Sequence, residues 1–240
     1  MSADPVLVAL PGTLCTPAVF GPLARALAGE VTVDPMSWLT GPGPWDIPSI
    51  AERVADHISR RWRRPVLVCG HSTGGAIALQ LAIRHPDMVE GLVLVDTGAH
   101  MRGHGDVDAT LERIRTGWGE ELRAAVLDRS FMIPLTPEVR AGFLAWAADL
   151  DQQAVYDVLA SQRSLDLTGE LDQITQPSVV VHGRYDRARP PEQGRELAAS
   201  LPDAEFRLIE EAGHTPVYET PAAVAAAVRD VRERARRRAC

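Results

Sequence analysis

The sequence predicts an α/β protein: a mostly parallel, doubly wound sheet of about six strands, interrupted once by a helical cap insertion. Three observations carry this. Short apolar runs recur along the chain, with helical patterns between most of them. The runs are continuous rather than alternating, as strands buried on both faces of a parallel sheet require. The alternation of strand and helix breaks only between residues 100 and about 165, where helical patterns follow one another without a convincing strand.

In chain order the strands are "VLVAL" (6–10), "VTV" (31–33), "VLVC" (66–69), "LVLV" (92–95), "VVV" (179–181) and "EFRLI" (205–209). Ile50, Val54, Ile58 and Trp62 recur every fourth residue and mark a helix between the second and third strands. Thr-Pro at 16/17, 136/137 and 220/221 supplies an N-cap followed by a first-turn proline, so helices should begin at each. Within the insertion, Val139, Phe143, Trp146, Ala147 and Leu150 form one apolar face. "GPGP" at 41–44 reads as a rigid loop. The expected division is a core of residues 1–99 and 166–240 with a helical cap of residues 100–165.

Composition removes several classes of function. The apolar share of 45% includes no long uncharged run that could span a bilayer, so no membrane association is expected. The N-terminus lacks a basic region and "PVLVAL" is too short for an export signal, which predicts a cytoplasmic protein. Cys15, Cys69 and Cys240 are odd in number and unrelated in spacing, against a disulfide framework or a zinc set and in keeping with a reducing compartment. Net charge is −7, and the last twelve residues carry six Arg against two acids, so the rest of the chain is more acidic still and would repel nucleic acid. The basic tail complements the dipole at a helix C-terminus. The sequence contains no lysine, which excludes Schiff-base lysines, a serine–lysine dyad and a P-loop together.

Chemistry is concentrated in "VCGHSTGGAIAL" at 68–79. A serine hydroxyl is a poor nucleophile unless it protrudes toward a base, and a sharp strand-to-helix turn achieves this. Gly70 and Gly74 relieve the crowding that such a turn imposes around Ser72. The N–H of Thr73, at the start of the following helix, is a donor suited to negative charge, half of an oxyanion hole. G-x-S-x-G alone is weak; its setting between a buried strand and an apolar helix gives it weight.

Among seven histidines, His214 in "EEAGHTPVYETP" follows the last strand and precedes the C-terminal helix, where its ring can reach the C-terminal edge of the sheet. It is the predicted base. His100 and His104 have the i, i+4 spacing of a metal pair, but Gly103 and Gly105 argue against the helix such a pair needs, so no metal is expected. Asp186, just beyond the penultimate strand in "VVVHGRYD", is the predicted acid, with Asp96 after "LVLV" as its rival. The second oxyanion donor should come from "LPGTLCT", where Gly12 permits close approach and the Thr13 N–H can point inward. Cys15 reads as a packing or rim residue.

These residues resemble the α/β-hydrolase superfamily: "GHSTGG" as nucleophile elbow, "HGRYD" as acid turn and "AGHTPVYETP" as histidine loop, in the family's chain order Ser72, Asp186, His214. Two departures stand out. Pro11 occupies the position where relatives commonly have a histidine, and the few residues before the first strand leave the family's opening antiparallel pair reduced or absent, with 31–33 as an exposed edge. The resemblance implies a serine hydrolase that cleaves a small-molecule ester, lactone or thioester through an acyl-enzyme, without a cofactor. It is similar to small carboxylesterases and 3-oxoadipate-type enol-lactonases. Thioester cleavage on a carrier-bound acyl group, lactonisation, elimination or C–C cleavage by the same triad, and a non-catalytic ligand-binding role stay open. A carrier protein or a second copy of the chain is therefore an open partner. Leu14 and the insertion's Trp118, Phe131, Phe143 and Trp146 are candidates for the substrate wall, the aromatics equally for cap core. Arg184, Arg187 and Arg189 around the acid are candidates for a substrate carboxylate.

Overall fold

A computed structural model describes residues 4–238; Cys240 lies outside them. Its strands are β1 (Val6–Leu10), β2 (Thr32–Pro35), β3 (Val66–His71), β4 (Val89–Val95), β5 (Ser178–Gly183) and β6 (Ala204–Ile209). They form one sheet in the order β2-β1-β3-β4-β5-β6, with each neighbouring pair parallel. The chain leaves β1 toward the β2 edge and returns to β3 on its other side. The loops after β1 and β3 therefore diverge, and they open a crevice at the C-terminal edge of the sheet.

The helices are α1 (Gly21–Ala26), α2 (Ile47–Arg61), α3 (Thr73–Arg84), α4 (Val107–Thr116), α5 (Glu120–Arg129), α6 (Pro137–Ala148), α7 (Gln152–Ser164), α8 (Pro191–Ser200), α9 (Pro216–Glu219) and α10 (Pro221–Arg238). Successive side chains of a strand point to opposite faces, and the two cores divide accordingly. Val6, Val8 and Leu10 of β1 pack with Ile50 and Val54 of α2, Ile77 of α3 and Val155 of α7. Leu7 and Ala9 pack with Leu23 of α1 and Val224, Val228 and Val231 of α10.

Several boundaries differ from the sequence expectation. β2 starts at Thr32, one residue late, because Val31 turns into the core instead of joining the ladder. β4 starts at Val89, three residues early; Val66 pairs with Val89 and Leu67 with Gly91, so an irregularity at the polar Glu90 hides the strand's first residues from a search for apolar runs. Thr16 and Thr136 do cap, accepting from Ala18 N and Val139 N, but Thr16 opens a 3-10 turn over Pro17–Phe20 rather than an α-helix. Thr220 instead donates its hydroxyl to Pro216 O at 3.3 Å, because it closes α9 immediately before α10 begins.

Helices α4 to α7 lie between β4 and β5, with α4 against α7 and α5 against α6. Ser161 Oγ of α7 accepts from Ile47 N at 2.9 Å and fastens the insertion to α2. Among the described residues no helix is long and apolar enough to cross a membrane.

Candidate active site

β3 ends at His71 and α3 begins at Thr73, which leaves Ser72 alone to make the turn, at φ 54° and ψ −119°. A non-glycine residue there carries strain of about 1–3 kcal/mol, which the surroundings must over-determine. Ser72 N donates to Val95 O at 2.9 Å, and Thr97 Oγ1 donates to Ser72 O at 2.8 Å. The flanking glycines are steric necessities. A Cβ on Gly70 would meet Gly75 Cα at 2.6 Å, and one on Gly74 would overlap the Leu10 carbonyl.

The histidine loop after β6 and the turn after β5 bring the other two groups to this point. His214 Nε2 lies 3.0 Å from Ser72 Oγ, and His214 Nδ1 lies 2.7 Å from Asp186 Oδ2. A carboxylate only accepts, so His214 carries its proton on Nδ1 and leaves Nε2 free to accept from the serine. Asp186 Oδ1 accepts from Ala188 N at 2.7 Å and Arg189 N at 3.0 Å. Full burial of the Asp186 side chain opposes its charge, but His214 and hydrogen bonds from His182, His214 and Asp96 outweigh this and hold the carboxyl well below the usual range.

Asp96, the rival acid, is fully buried at φ 47°, with Oδ1 accepting from Gly183 N at 3.0 Å. Burial and the adjacent Asp186 push its carboxyl well above the usual range. Ligand atoms of Asp96, His182 and Asp186 lie within 4.8 Å of one another, and no donor among the described residues faces Asp96 Oδ2. A protonated Asp96 can give its hydrogen to Asp186. Burial and charge thus push the two acids in opposite directions, and the one held low is the one that touches His214.

His71, beside the serine, is buried and donates from Nε2 to His214 O at 2.7 Å. Burial and the neighbouring His214 push its ring down to about 3, so it is neutral, and its Nδ1 is left without a partner. Glu219 completes the support of the loop: Oε2 accepts from Gly213 N at 3.0 Å and Thr215 N at 3.3 Å, the peptide groups on either side of His214.

Above Ser72 opens a cavity of about 100 Å³ lined by Thr13, Leu14, Thr73, His214 and, from the insertion, Ile114, Leu122, Phe131, Leu159 and Gln162. The two threonines of the expected oxyanion hole meet: Thr13 Oγ1 donates to Thr73 Oγ1, and Thr73 Oγ1 donates to Gln162 Oε1, each at 2.8 Å. Gly12 lies against Ser72, since a Cβ there would sit 3.0 Å from Ser72 Cβ. Trp38 Nε1 donates to Pro11 O at 2.8 Å and anchors this loop where the family's usual histidine is missing.

Several expected wall residues lie elsewhere. Leu14 and Phe131 line the cavity, whereas Trp118, Phe143 and Trp146 do not. Phe143 is stacked behind Phe131, its ring 6.4 Å from Phe131 and 5.9 Å from Tyr218, and Trp118 and Trp146 pack against the apolar core, Trp118 beneath the Arg123 guanidinium. None of the three arginines near the acid reaches the cavity. Arg184 pairs with Glu210, and Arg189, 2% exposed, is occupied by His100 O and Gln193. His100 and His104 diverge: His100 Nδ1 accepts from Arg102 N, while His104 lines the cavity, its ring pushed down to about 4 by burial. Gln162, Glu219 and His71 escape a reading of the sequence, because nothing in their local pattern marks a buried polar contact; only "HTPVYE" places Glu219 within a helical turn of the histidine loop.

The sheet order and its flanking helices are those of the α/β-hydrolase fold. Residues 7–227 match the alpha/beta hydrolase family, and the chain belongs to it. It is 27% identical over 203 residues to the pimeloyl-(acyl-carrier protein) methyl ester esterase of Neisseria meningitidis serogroup A, across 79% of this chain and 64% of that relative's length. It is likewise 27% identical over 233 residues to the same-named enzyme of Chromobacterium violaceum, across 90% of this chain and 89% of the relative. The backbone matches the enol-lactonase of Burkholderia xenovorans LB400 with a TM-score of 0.84 at 24% identity, over 97% of this chain and 92% of that one.

Proposed function

We propose that the protein is a carboxylic ester hydrolase in which Ser72, His214 and Asp186 are the catalytic triad, with residues 100–165 as cap over a core of 1–99 and 166–240. The observation that carries this reading is the continuous relay from Ser72 Oγ through both nitrogens of His214 to Asp186, opening into an apolar cavity. As Ser72 Oγ attacks the acyl carbonyl, its proton passes to His214 Nε2, and Asp186 stabilises the imidazolium. The N–H groups of Thr13 and Thr73 receive the oxyanion, each worth about 3 kcal/mol in a site of this kind. His214 returns the proton to the departing alkoxide, and the alcohol leaves. Water then repeats the sequence on the acyl-enzyme and releases the acid.

The names of the curated relatives favour one second reading, in which the acyl group is presented by a carrier protein. A panel of p-nitrophenyl esters, lactones, acyl thioesters and a carrier-linked methyl ester, run with wild type and Ser72→Ala, tests both. Ester turnover abolished by Ser72→Ala supports the mechanism, and turnover unchanged by it removes Ser72. Carrier-linked ester favoured over the free methyl ester supports the second reading.

A further inference from the structure

Gln162 is an unusual residue for an apolar cavity wall. Its side chain projects from α7 into the cavity, and the residue is only 5% exposed. Oε1 is committed to Thr73 Oγ1 at 2.8 Å, and Thr73 is itself committed by the hydroxyl of Thr13. Each threonine has one hydrogen to give, and both are used within the chain from Thr13 to Gln162. With Oε1 on Thr73, the Nε2 hydrogens face away from the threonines. Nε2 makes no hydrogen bond to a described residue, and Gln162 lines the cavity. An amide donor at a cavity wall with no protein partner is available to an acceptor on a bound ligand.

The surroundings indicate which part of a ligand would do so. Thr13 and Thr73 mark the end of the cavity where the scissile carbonyl sits in the reading above. Leu159, one turn earlier on α7, shares the helix face of Gln162 and lines the same cavity. A chain that leaves the oxyanion threonines along α7 meets Gln162 first and Leu159 next.

We infer that Gln162 is a substrate-binding residue whose Nε2 selects acyl groups carrying an oxygen acceptor, an ether or carbonyl, two or three bonds from the scissile carbon. This rests on the ester-hydrolase reading. The discrimination is asymmetric, because a chain with a methylene at that place leaves the donor unpaired, whereas an acceptor satisfies it.

Two matched pairs of substrates test the inference: 4-nitrophenyl methoxyacetate against butanoate, and 3-methoxypropanoate against pentanoate, each pair differing by one oxygen in place of one methylene. The ratio of kcat/KM within each pair is measured for wild type, Gln162→Leu and Gln162→Glu; the last keeps an acceptor for Thr73 and removes the donor. Dividing the variant's ratio by the wild-type ratio cancels the intrinsic reactivity of the ethers. In at least one pair the preference for the ether should fall by about three- to tenfold in both variants, the effect of one neutral hydrogen bond. A loss shared equally by ether and alkyl esters would overturn the inference and reduce Gln162 to a prop for the threonines, and so would unchanged ratios in both pairs. Thermal melts establish that each variant is folded. If wild type fails to hydrolyse even the alkyl esters, the hydrolase reading fails first and separately.

Discussion

Glu219 Oε1 accepts from the peptide N–H of Met132 at 2.6 Å, so a carboxylate five residues beyond the candidate base also holds the inserted helical segment. Its other oxygen receives the amides flanking His214, and Thr215 Oγ1 adds a bond to Ser130 O at 2.9 Å. The cavity wall at Ser130 and Phe131 and the imidazole are therefore held in one register. Glu219→Gln keeps an acceptor but turns an amide donor toward other donors, which weakens at least one charge-assisted bond of about 1.5–3 kcal/mol. We expect kcat for a p-nitrophenyl ester to fall by about tenfold or more. A folded Glu219→Gln protein with unaltered kcat would show that the loop holds itself.

The two buried acids should respond very differently to loss of charge. Asp186→Asn places an amide where His214 Nδ1 needs an acceptor and disfavours the required tautomer, so kcat should drop by about 10³- to 10⁴-fold. Burial and the neighbouring Asp186 favour the protonated form of Asp96, and asparagine resembles a protonated carboxyl in shape and in hydrogen-bonding capacity. Asp96→Asn should retain activity to within about threefold. Comparable losses in the two variants would mean that the ionised acid has been assigned to the wrong strand end.

Acid should destabilise the protein in part through His71. Unfolded, this histidine takes up a proton near pH 6.5, but in the folded state its ring resists protonation until about pH 3. Between those values the unfolded state binds more protons, so stability is complete above pH 6.5 and is lost as pH falls. His104, pushed to about 4, acts in the same direction, whereas Asp96, raised by burial, opposes both above the ordinary carboxylate range. His71→Asn removes one of these contributions and keeps a donor for His214 O. Its stability relative to wild type should rise by about 2–3 kcal/mol between pH 6.5 and 4.5, read from urea midpoints. A constant difference over that range would mean that His71 is protonated in the folded protein.

How much of this was legible in the sequence follows from how local each signal is. Strands β1, β3, β4 and β5 each contain a continuous apolar run, and the elbow needs Gly70, Ser72 and Gly74 within five residues, so both can be read directly. Ser72, Asp186 and His214 were placed by their positions after strands, because a parallel sheet delivers every strand end to one edge. What could not be read depends on contacts between distant segments. Gln162 meets Thr73, Glu219 meets Met132, and the aromatic residues of the insertion divide between wall and core according to how α6 packs over the histidine loop. Helical periodicity identifies an apolar face but not which neighbour it meets.

Two glycines separate a requirement of the site from an accident of the surface. Gly74 lies at the start of α3, where an added Cβ would overlap the carbonyl oxygens of Leu10 and Pro11 at the end of β1. These are backbone atoms at and just past the end of β1 and cannot swing aside, so Gly74→Ala has to displace either the helix or the loop after β1. We expect a loss of at least about 3 kcal/mol, or no soluble protein, together with loss of ester turnover in whatever folds. Gly142 lies within α6, exposed, with nothing near an added Cβ and no positive φ to oppose a side chain. Gly142→Ala should raise stability by about 0.5–1 kcal/mol through helix propensity and a less flexible unfolded chain. Turnover should not change, since α6 contributes no residue to the cavity lining. Urea denaturation of both variants beside wild type reads the contrast, and a Gly74→Ala protein of wild-type stability would contradict the tight packing of the elbow against β1.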